Sequence, residues 1–239
     1  MKTTKNRLSD TSNCLLCKHK DQFFCHLSNE EKQLLNEKKG ENFYKKGQAI
    51  FYEGNHSVGL YCVFEGKVKL SKLGKDGKEQ IVRFSKTGDI MGYRALLSNE
   101  PYQATATAME DSHICLITKE NLLKVTGNNP WLSLKLIQLL SQDLKTAEQH
   151  LIDVAQKTVK ERISESLLQL INTFGFLHDG KTLNVQMTRS EIADMAGTTT
   201  ESTIRTLAQL SSDGIIQLDG KNIIITDNEQ LIRCANTLD

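Results

Sequence analysis

The chain has 239 residues, of which 38% are apolar and 25% charged, a composition typical of a globular protein with room for two cores. The first twenty residues are polar, and no stretch reaches the ~18 consecutive apolar residues of a membrane span, which predicts a cytoplasmic protein without membrane contact. The net charge of +1 gives no electrostatic sign of a nucleic-acid partner, and seven Lys and Arg face eleven Asp and Glu from Lys160 onward.

Short strands are predicted over the first half of the chain. Nine of the fifteen glycines lie between Gly40 and Gly92, where short β-branched and aromatic runs alternate with turn residues. Asp76-Gly77 separates two such runs and favours a tight hairpin, because both residue types tolerate positive φ. We therefore expect an antiparallel roll in residues 29–128, preceded by an N-terminal arm of residues 1–28.

A long helix is predicted after Asn129-Pro130, because proline suits the first helical turn and no glycine interrupts the chain from there to Phe174. Within residues 129–157, apolar residues recur at alternating steps of three and four, the spacing of a two-stranded coiled-coil seam. The seam consists of Ile137, Leu140, Leu144, Ala147, Leu151 and Val154, with Thr158 at its end. The pattern predicts a homodimer, and packing of this helix on its own roll is the alternative.

The last domain, residues 158–239, opens with a predicted helix from about Thr158 to Phe174. Thr188-Arg189-Ser190-Glu191 is a capping-box pattern that predicts a helix start, and Gly197 suits the end of that helix. A second helix should begin within Thr198–Thr200, so that the two form a helix-turn-helix. A hairpin turning at Asp219-Gly220 would then form a wing.

The second of these helices is expected to bury Ile204, Leu207 and Leu210. That leaves an outer face composed of Thr200, Glu201, Ser202 and Arg205. Without further information, a purely structural role for these residues is the alternative. Glu201 would complete a capping box from Thr198, or form an ion pair with Arg205 at i, i+4 spacing.

The segment from Met187 to Leu210 resembles the helix-turn-helix of the CRP/FNR superfamily of transcriptional regulators, and the resemblance extends to the roll glycines and the long helix. It implies an α+β fold with an N-terminal cyclic-nucleotide-binding-type β-roll, a long dimerisation helix and a C-terminal winged helix-turn-helix. It also implies a regulator, not an enzyme, that binds a near-palindromic site on double-stranded DNA and contacts RNA polymerase.

The same resemblance implies that Arg205 donates to a guanine edge and that Glu201 accepts from a cytosine amino group. Arg189, Thr200 and Ser202 complete the predicted DNA contacts. The family usually has a small or polar residue before the reading arginine, where this chain has Ile204, so that base contact does not carry over.

Gly88-Asp89-Ile90-Met91-Gly92 resembles the start of the segment that binds the nucleotide in cyclic-nucleotide-dependent members. The family's ribose-binding glutamate corresponds to Tyr93, and its phosphate-binding arginine falls near Gln103, with Arg94 the only nearby guanidinium along the sequence. Neither Tyr93 nor Gln103 supplies the required charge, so cyclic AMP is not expected to bind.

Cys14, Cys17 and Cys25 form a C-x2-C-x7-C motif in the arm, and thiolates select soft metals and iron–sulfur clusters. The stretch ending in Cys115 resembles the one that carries the fourth ligand in oxygen-sensing FNR proteins, which implies a [4Fe–4S] cluster. A zinc site completed by His26 or His19, and plain reduced thiols, are the alternatives. Cys62 and Cys234 are expected to be small buried apolar residues.

The rival functional class is an effector-binding or interaction module that carries no cluster. In that case the roll would serve as a scaffold or bind a ligand other than a nucleotide.

Overall fold

The computed structural model describes residues 14–15, 23–24, 26–75 and 77–235. Several predictions concern residues that lie outside these ranges, namely Cys17, His19, Cys25 and Asp76.

The chain divides into two compact units. The first comprises Met1–Lys72 and Arg83–Asp143, and the second comprises Leu73–Val82 and Leu144–Asp239. No helix among the described residues is long and apolar enough to cross a membrane.

The first unit contains the predicted β-roll, built from two four-stranded sheets with strand orders β1-β8-β3-β6 and β2-β7-β4-β5. The strands are β1 (Gly40–Tyr44), β2 (Ala49–Phe51), β3 (Gly59–Glu65), β4 (Lys67–Leu73), β5 (Glu79–Lys86), β6 (Ile90–Met91), β7 (Thr105–Ala108) and β8 (Ser112–Thr118). Three short helices accompany them: α1 (Asn29–Asn36), α2 (Tyr93–Ser98) and α3 (Lys119–Asn128).

Strands β3 and β8 approach each other so closely that one position must be glycine. A Cβ atom built at Gly59 would lie 2.1 Å from the carbonyl oxygen of Ile117. The close approach fixes an antiparallel register in which Cys62 stands directly opposite Cys115.

A 27-residue helix, α4 (Pro130–Gln156), follows the roll as predicted. Asn129 Oδ1 accepts a hydrogen bond from the Leu132 backbone N–H at 3.0 Å and caps the first turn. Leu132 and Leu136 then join the same buried cluster as Leu60 and Ile117 of the sheet. Burying each such leucine contributes about 1.5–3 kcal/mol, so the first half of α4 is part of the roll's core.

The second unit holds the end of α4 and the C-terminal domain. Its elements are α5 (Val159–Phe174), α6 (Arg189–Ala196), α7 (Thr200–Ser212), β9 (Ile216–Asp219), β10 (Asn222–Ile225) and α8 (Asn228–Cys234). Asn222 pairs with Asp219, so the wing turns at Gly220 and Lys221, one residue later than predicted, and Gly220 has the positive φ of 57° that this turn requires.

The segment that links β4 and β5 belongs to the second unit by its contacts. Gln80 Nε2 donates to the Met195 carbonyl at the end of α6, at 3.4 Å. The division into units also runs through α4 between Asp143 and Leu144 instead of leaving residues 129–157 as a separate segment.

Candidate nucleic-acid interface and thiol site

Helices α6 and α7 form the predicted helix-turn-helix, and threonines cap both. Thr188 Oγ1 accepts from the Glu191 N–H at 3.1 Å, and the Glu191 carboxylate accepts from the Thr188 N–H at 2.9 Å, which completes the predicted capping box. Gly197 ends α6 in the left-handed conformation, with a φ of 60°. Thr199 then caps α7 by accepting from the Ser202 N–H at 3.2 Å.

The buried face of α7 contains two of the three residues predicted for it, and two threonines in addition. Thr203, Thr206, Leu207 and Leu210 are buried, whereas Ile204, predicted to be buried, is 52% exposed. Threonine can take the inner position because the Thr203 hydroxyl donates to the Thr199 carbonyl at 3.0 Å, which satisfies the buried polar group. With 3.6 residues per turn, burial of Thr203 and Leu207 places Ile204 outside.

The outer face of α7 is narrower than predicted. Glu201 and Arg205 are exposed, but Thr200 and Ser202 are only partly so. The Ser202 hydroxyl accepts from the Thr199 hydroxyl at 3.1 Å, so its side chain is engaged at the cap. Over the first two turns of α7, the exposed residues are therefore Glu201, Ile204 and Arg205.

Both alternative roles for Glu201 are absent from the geometry. Thr199, not Thr198, caps α7, and no ion pair joins Glu201 to Arg205, both of which lie within the described ranges. The pKa of Glu201 is lowered by a hydrogen bond from its own backbone N–H and another from the Thr199 hydroxyl. The carboxylate is thus ionised at neutral pH and can accept from a partner.

Two further arginines support the helix-turn-helix. Arg162 of α5 donates through Nε to the Ala196 carbonyl at 2.8 Å and through Nη1 to the Lys157 carbonyl at 2.7 Å. Arg189, predicted to contact DNA, donates through Nη2 to the Gly220 carbonyl of the wing at 3.3 Å. No sequence motif marks Arg162, because its partners are backbone carbonyls, one of them 34 residues away.

The predicted seam lies on the surface of α4. Its exposed members are Ile137 (59%), Leu144 (61%), Leu151 (72%) and Val154 (47%), together with Ala147. Leu140 is partly buried against the roll's core. Packing of α4 on its own roll involves Leu132, Leu136 and the partly buried Leu140, and it leaves the other seam residues exposed.

The thiol site centres on Cys115, which is 3% exposed on β8. Cys62 lies directly opposite it on β3, and Glu41 lies opposite it on β1. Lys39 Nζ lies 3.7 Å from the Cys14 sulfur. Burial acts to lower the pKa of Lys39, but interactions with the sulfurs of Cys14, Cys115 and Cys62 outweigh burial and raise this pKa above its ordinary value. The fold therefore brings Cys62, for which we predicted only an apolar packing role, next to Cys115.

Burial raises the pKa of the Cys115 thiol to about 11, although the nearby Lys39 ammonium acts to lower it. No group of three His, Cys, Asp or Glu side chains among the described residues is placed to hold a metal ion, and Cys17 and Cys25 lie outside those residues. His26 packs against Trp131, with ring centroids 4.8 Å apart.

A closed hydrogen-bond network occupies the position that corresponds to the nucleotide-binding glutamate. The buried Tyr93 hydroxyl bonds to Arg83 of β5 and Asp143 of α4, and Arg83 Nη1 also donates to Asp143 at 2.5 Å. The prediction of Arg94 as the nearby guanidinium was wrong, because Arg94 is exposed and Arg83 reaches Tyr93 from a neighbouring strand. Gln103 is exposed.

A cavity of about 470 Å³ lies beside this network within the first unit. Arg83 and Asp143 line one part of it, and His26, Trp131 and Lys135 line another. The Lys135 ammonium lies 5.4 Å from the centroid of the Trp131 ring. The cavity therefore offers the Lys135 ammonium and aromatic surface, and the carboxylates of Asp89 and Asp143 also line it.

Comparison with known proteins identifies the family. Residues 41–129 match the cyclic nucleotide-binding domain family, and residues 161–234 match the Crp-like helix-turn-helix domain family. The fumarate and nitrate reduction regulatory protein of Yersinia pestis is 30% identical over 194 residues, which cover 80% of this chain and 76% of that protein. The chain belongs to the CRP/FNR superfamily of transcriptional regulators. This CRP/FNR regulator binds DNA through its helix-turn-helix and is not an enzyme.

Other relatives have nearly the same sequence identity to this CRP/FNR regulator as the Yersinia pestis protein. The CRP-like cAMP-activated global transcriptional regulator of Mycobacterium tuberculosis is 29% identical, over 80% of this chain and 86% of that one. The structure of FixK2 from Bradyrhizobium japonicum has a TM-score of 0.73 at 28% identity and covers 82% of this chain and 96% of that one. Because the names refer to different signals, overall identity does not specify the effector.

Proposed function

We propose that two copies of this regulator bind a near-palindromic DNA site, each placing α7 in the major groove of one half-site, and that the bound dimer acts on RNA polymerase. The observation that carries the proposal is the joint exposure of Glu201 and Arg205 on one face of α7. A guanidinium suits the guanine O6/N7 edge, and an ionised carboxylate suits the cytosine amino group.

The seam on α4 supports the dimer. Four apolar side chains that are 47 to 72% exposed form a stripe with coiled-coil spacing, and a second copy of the same stripe would cover them. Two-fold symmetry then presents two α7 helices to successive major grooves about one DNA turn apart.

Substitution of Arg205 tests the base-reading role. Arg205→Ala should lower the affinity for a cognate duplex by about 1–3 kcal/mol and relax the preference at one base pair. Arg233→Ala is the matched control, because Arg233 is an exposed arginine of α8 outside the helix-turn-helix. If Arg205→Ala retains the wild-type ratio of cognate to scrambled affinity, Arg205 does not read a base.

We further propose that Cys14, Cys17, Cys25 and Cys115 bind an oxygen-labile [4Fe–4S] cluster. The donor set is suitable, because four thiolates are the usual ligands of such a cluster. Cys14 and Cys115 both interact with Lys39, so these two thiols already lie in one neighbourhood, and the positive charge offsets part of the thiolate charge. The resemblance of the stretch ending in Cys115 to oxygen-sensing FNR proteins supports the same effector.

Residues of the arm near the thiol site pack close to α4, so a change at the thiol site can affect this helix. Cys14, Phe23 and Phe24 pack against the hydrophobic cluster that contains Leu132 and Leu136 of that helix. The [4Fe–4S] cluster would form an oxygen-sensitive link between the arm and β8. Loss of the iron–sulfur cluster would release the arm residues that pack at the start of α4. The equilibrium between monomer and dimer would then shift, provided that monomer and dimer bind the iron–sulfur cluster with different affinity.

Anaerobic reconstitution tests the effector. Wild type should take up about four irons per chain and become brown, whereas Cys115→Ser should not form a stable cluster. Cys234→Ser, which changes a thiol in α8, should behave as wild type. Equal iron uptake in wild type and Cys115→Ser, or none in either, would reject the cluster and leave zinc or plain thiols.

The cavity beside Tyr93 favours a second candidate effector, a small organic anion. Lys135 supplies a cation, and His26 and Trp131 supply aromatic surface. Simple aromatic carboxylates such as benzoate should then raise the Tm of wild type but not of Lys135→Gln. Equal shifts in both proteins would reject this candidate.

A further inference from the structure

Cys62 and Cys115 form a cross-strand pair outside the predicted arm motif. They stand directly opposite each other on the antiparallel strands β3 and β8, so their side chains lie on the same face of the sheet. Directly opposed residues in such a ladder have Cα atoms about 4.5 to 5.5 Å apart, which lies within the range of about 4.4 to 6.8 Å that disulfides span. The backbone separation of the two residues is therefore compatible with a disulfide.

The two thiols also differ in access. Cys115 is 3% exposed, whereas Cys62 is only partly buried, so a small oxidant from solvent reaches Cys62 first.

We propose that Cys62 and Cys115 are an oxidisable dithiol that hydroperoxides convert into a cross-strand disulfide. The Cys62 thiolate attacks one oxygen of hydrogen peroxide, the O–O bond breaks, and Cys62 sulfenic acid and one water form. The Cys115 sulfur then attacks the Cys62 sulfur, the S–O bond breaks, and the disulfide and a second water form. Two thiols lose two electrons and two protons, and the peroxide is reduced to two waters.

The consequence for regulation rests on the proposed cluster function. Cys115 is the one predicted cluster ligand outside the arm, so a disulfide to Cys62 removes it from the ligand set. Metal-free protein that has been treated with peroxide would then not bind a cluster until a thiol reductant reduces the disulfide. Cys62 thereby makes the thiol site responsive to peroxide as well as to oxygen.

The dithiol is tested in the full chain with Cys14, Cys17 and Cys25 replaced by serine, a background that leaves Cys62, Cys115 and Cys234 and does not depend on any cluster. After reduction, one equivalent of hydrogen peroxide is added, free thiols are alkylated, and the digested protein is analysed by mass spectrometry. Thiols should fall from three to one, with a Cys62–Cys115 linked peptide. Adding Cys62→Ser should abolish the link, and adding Cys234→Ser should not, while thermal unfolding verifies that each variant is folded.

Recovery of Cys62 and Cys115 in alkylated form, or a Cys234–Cys234 link between chains in place of the internal one, would overturn the proposal. A second measurement uses chelator-treated protein with all its cysteines. Peroxide-treated wild type should regain iron only after dithiothreitol, whereas Cys62→Ser should regain it without that step. Failure of every sample to bind iron would count against the cluster alone, since the disulfide is detected independently.

Discussion

Replacing Leu151 by glutamate is the sharpest perturbation of the seam, because Leu151 is its most exposed member, at 72%. Burying a whole leucine side chain is worth about 1.5–3 kcal/mol, so covering the exposed part of Leu151 contributes about 1–2 kcal/mol per chain. A two-fold dimer contains the residue twice, so the substitution removes about 2–4 kcal/mol. The dimer dissociation constant should therefore rise about 30- to 700-fold, and repulsion between the two glutamates adds to this.

Sedimentation equilibrium over a range of protein concentrations measures this constant. Gln138→Glu is the matched control, because it adds the same charge to an exposed residue of α4 outside the seam and should leave the dimer unchanged. DNA affinity should fall together with dimerisation in Leu151→Glu. A dissociation constant within twofold of wild type for Leu151→Glu, or a wild type that stays monomeric at every concentration, would show that the seam does not hold a dimer.

Three other substitutions or ligands test separate parts of the account. Ile204 presents an apolar side chain beside Arg205, so Ile204→Ser should weaken a contact with a thymine methyl group by about 1 kcal/mol, measured on duplexes varied next to the base pair read by Arg205. Arg162→Met should lower the free energy of unfolding by about 1.5–3 kcal/mol, measured in urea, because the backbone carbonyls of Lys157, Ala196 and Gly197 lose a charged donor. Cyclic AMP should show no binding by calorimetry, because Tyr93, Arg83 and Asp143 satisfy one another.

Each of these expectations has a contradicting result. Ile204→Ser with unchanged base preference would remove Ile204 from the reading face. Arg162→Met with wild-type stability would mean that water replaces the guanidinium at no net cost. A micromolar dissociation constant for cyclic AMP would mean that the network around Tyr93 opens for an anionic ligand.

The parts of the fold that the sequence predicts are those set by neighbours along the chain. The Thr188 capping box, the left-handed Gly197 and the proline at the start of α4 each act within a few residues, so their patterns are readable. The seam follows from helical periodicity in the same way. These features are sufficient to place the helix-turn-helix and the long helix.

The errors arise where a contact joins distant segments. Arg83 reaches Tyr93 from β5, and Cys62 meets Cys115 through sheet register, neither of which any local pattern specifies. Ile204 was misplaced because apolar residues at 204, 207 and 210 are compatible with one helical face, and the structure buries Thr203 instead. A threonine whose hydroxyl bonds to the preceding turn competes with isoleucine for the inner position.

On our proposal, the redox state of the thiol site controls DNA binding by the dimer. The direct measurement is the affinity of the full-length protein for a cognate duplex, by fluorescence anisotropy, before and after air exposure of the anaerobically reconstituted protein. We predict a change of about tenfold or more that follows the loss of the cluster's visible absorption in wild type and is absent in Cys115→Ser. Equal affinities before and after the absorption is lost, or the same change in Cys115→Ser, would contradict the account.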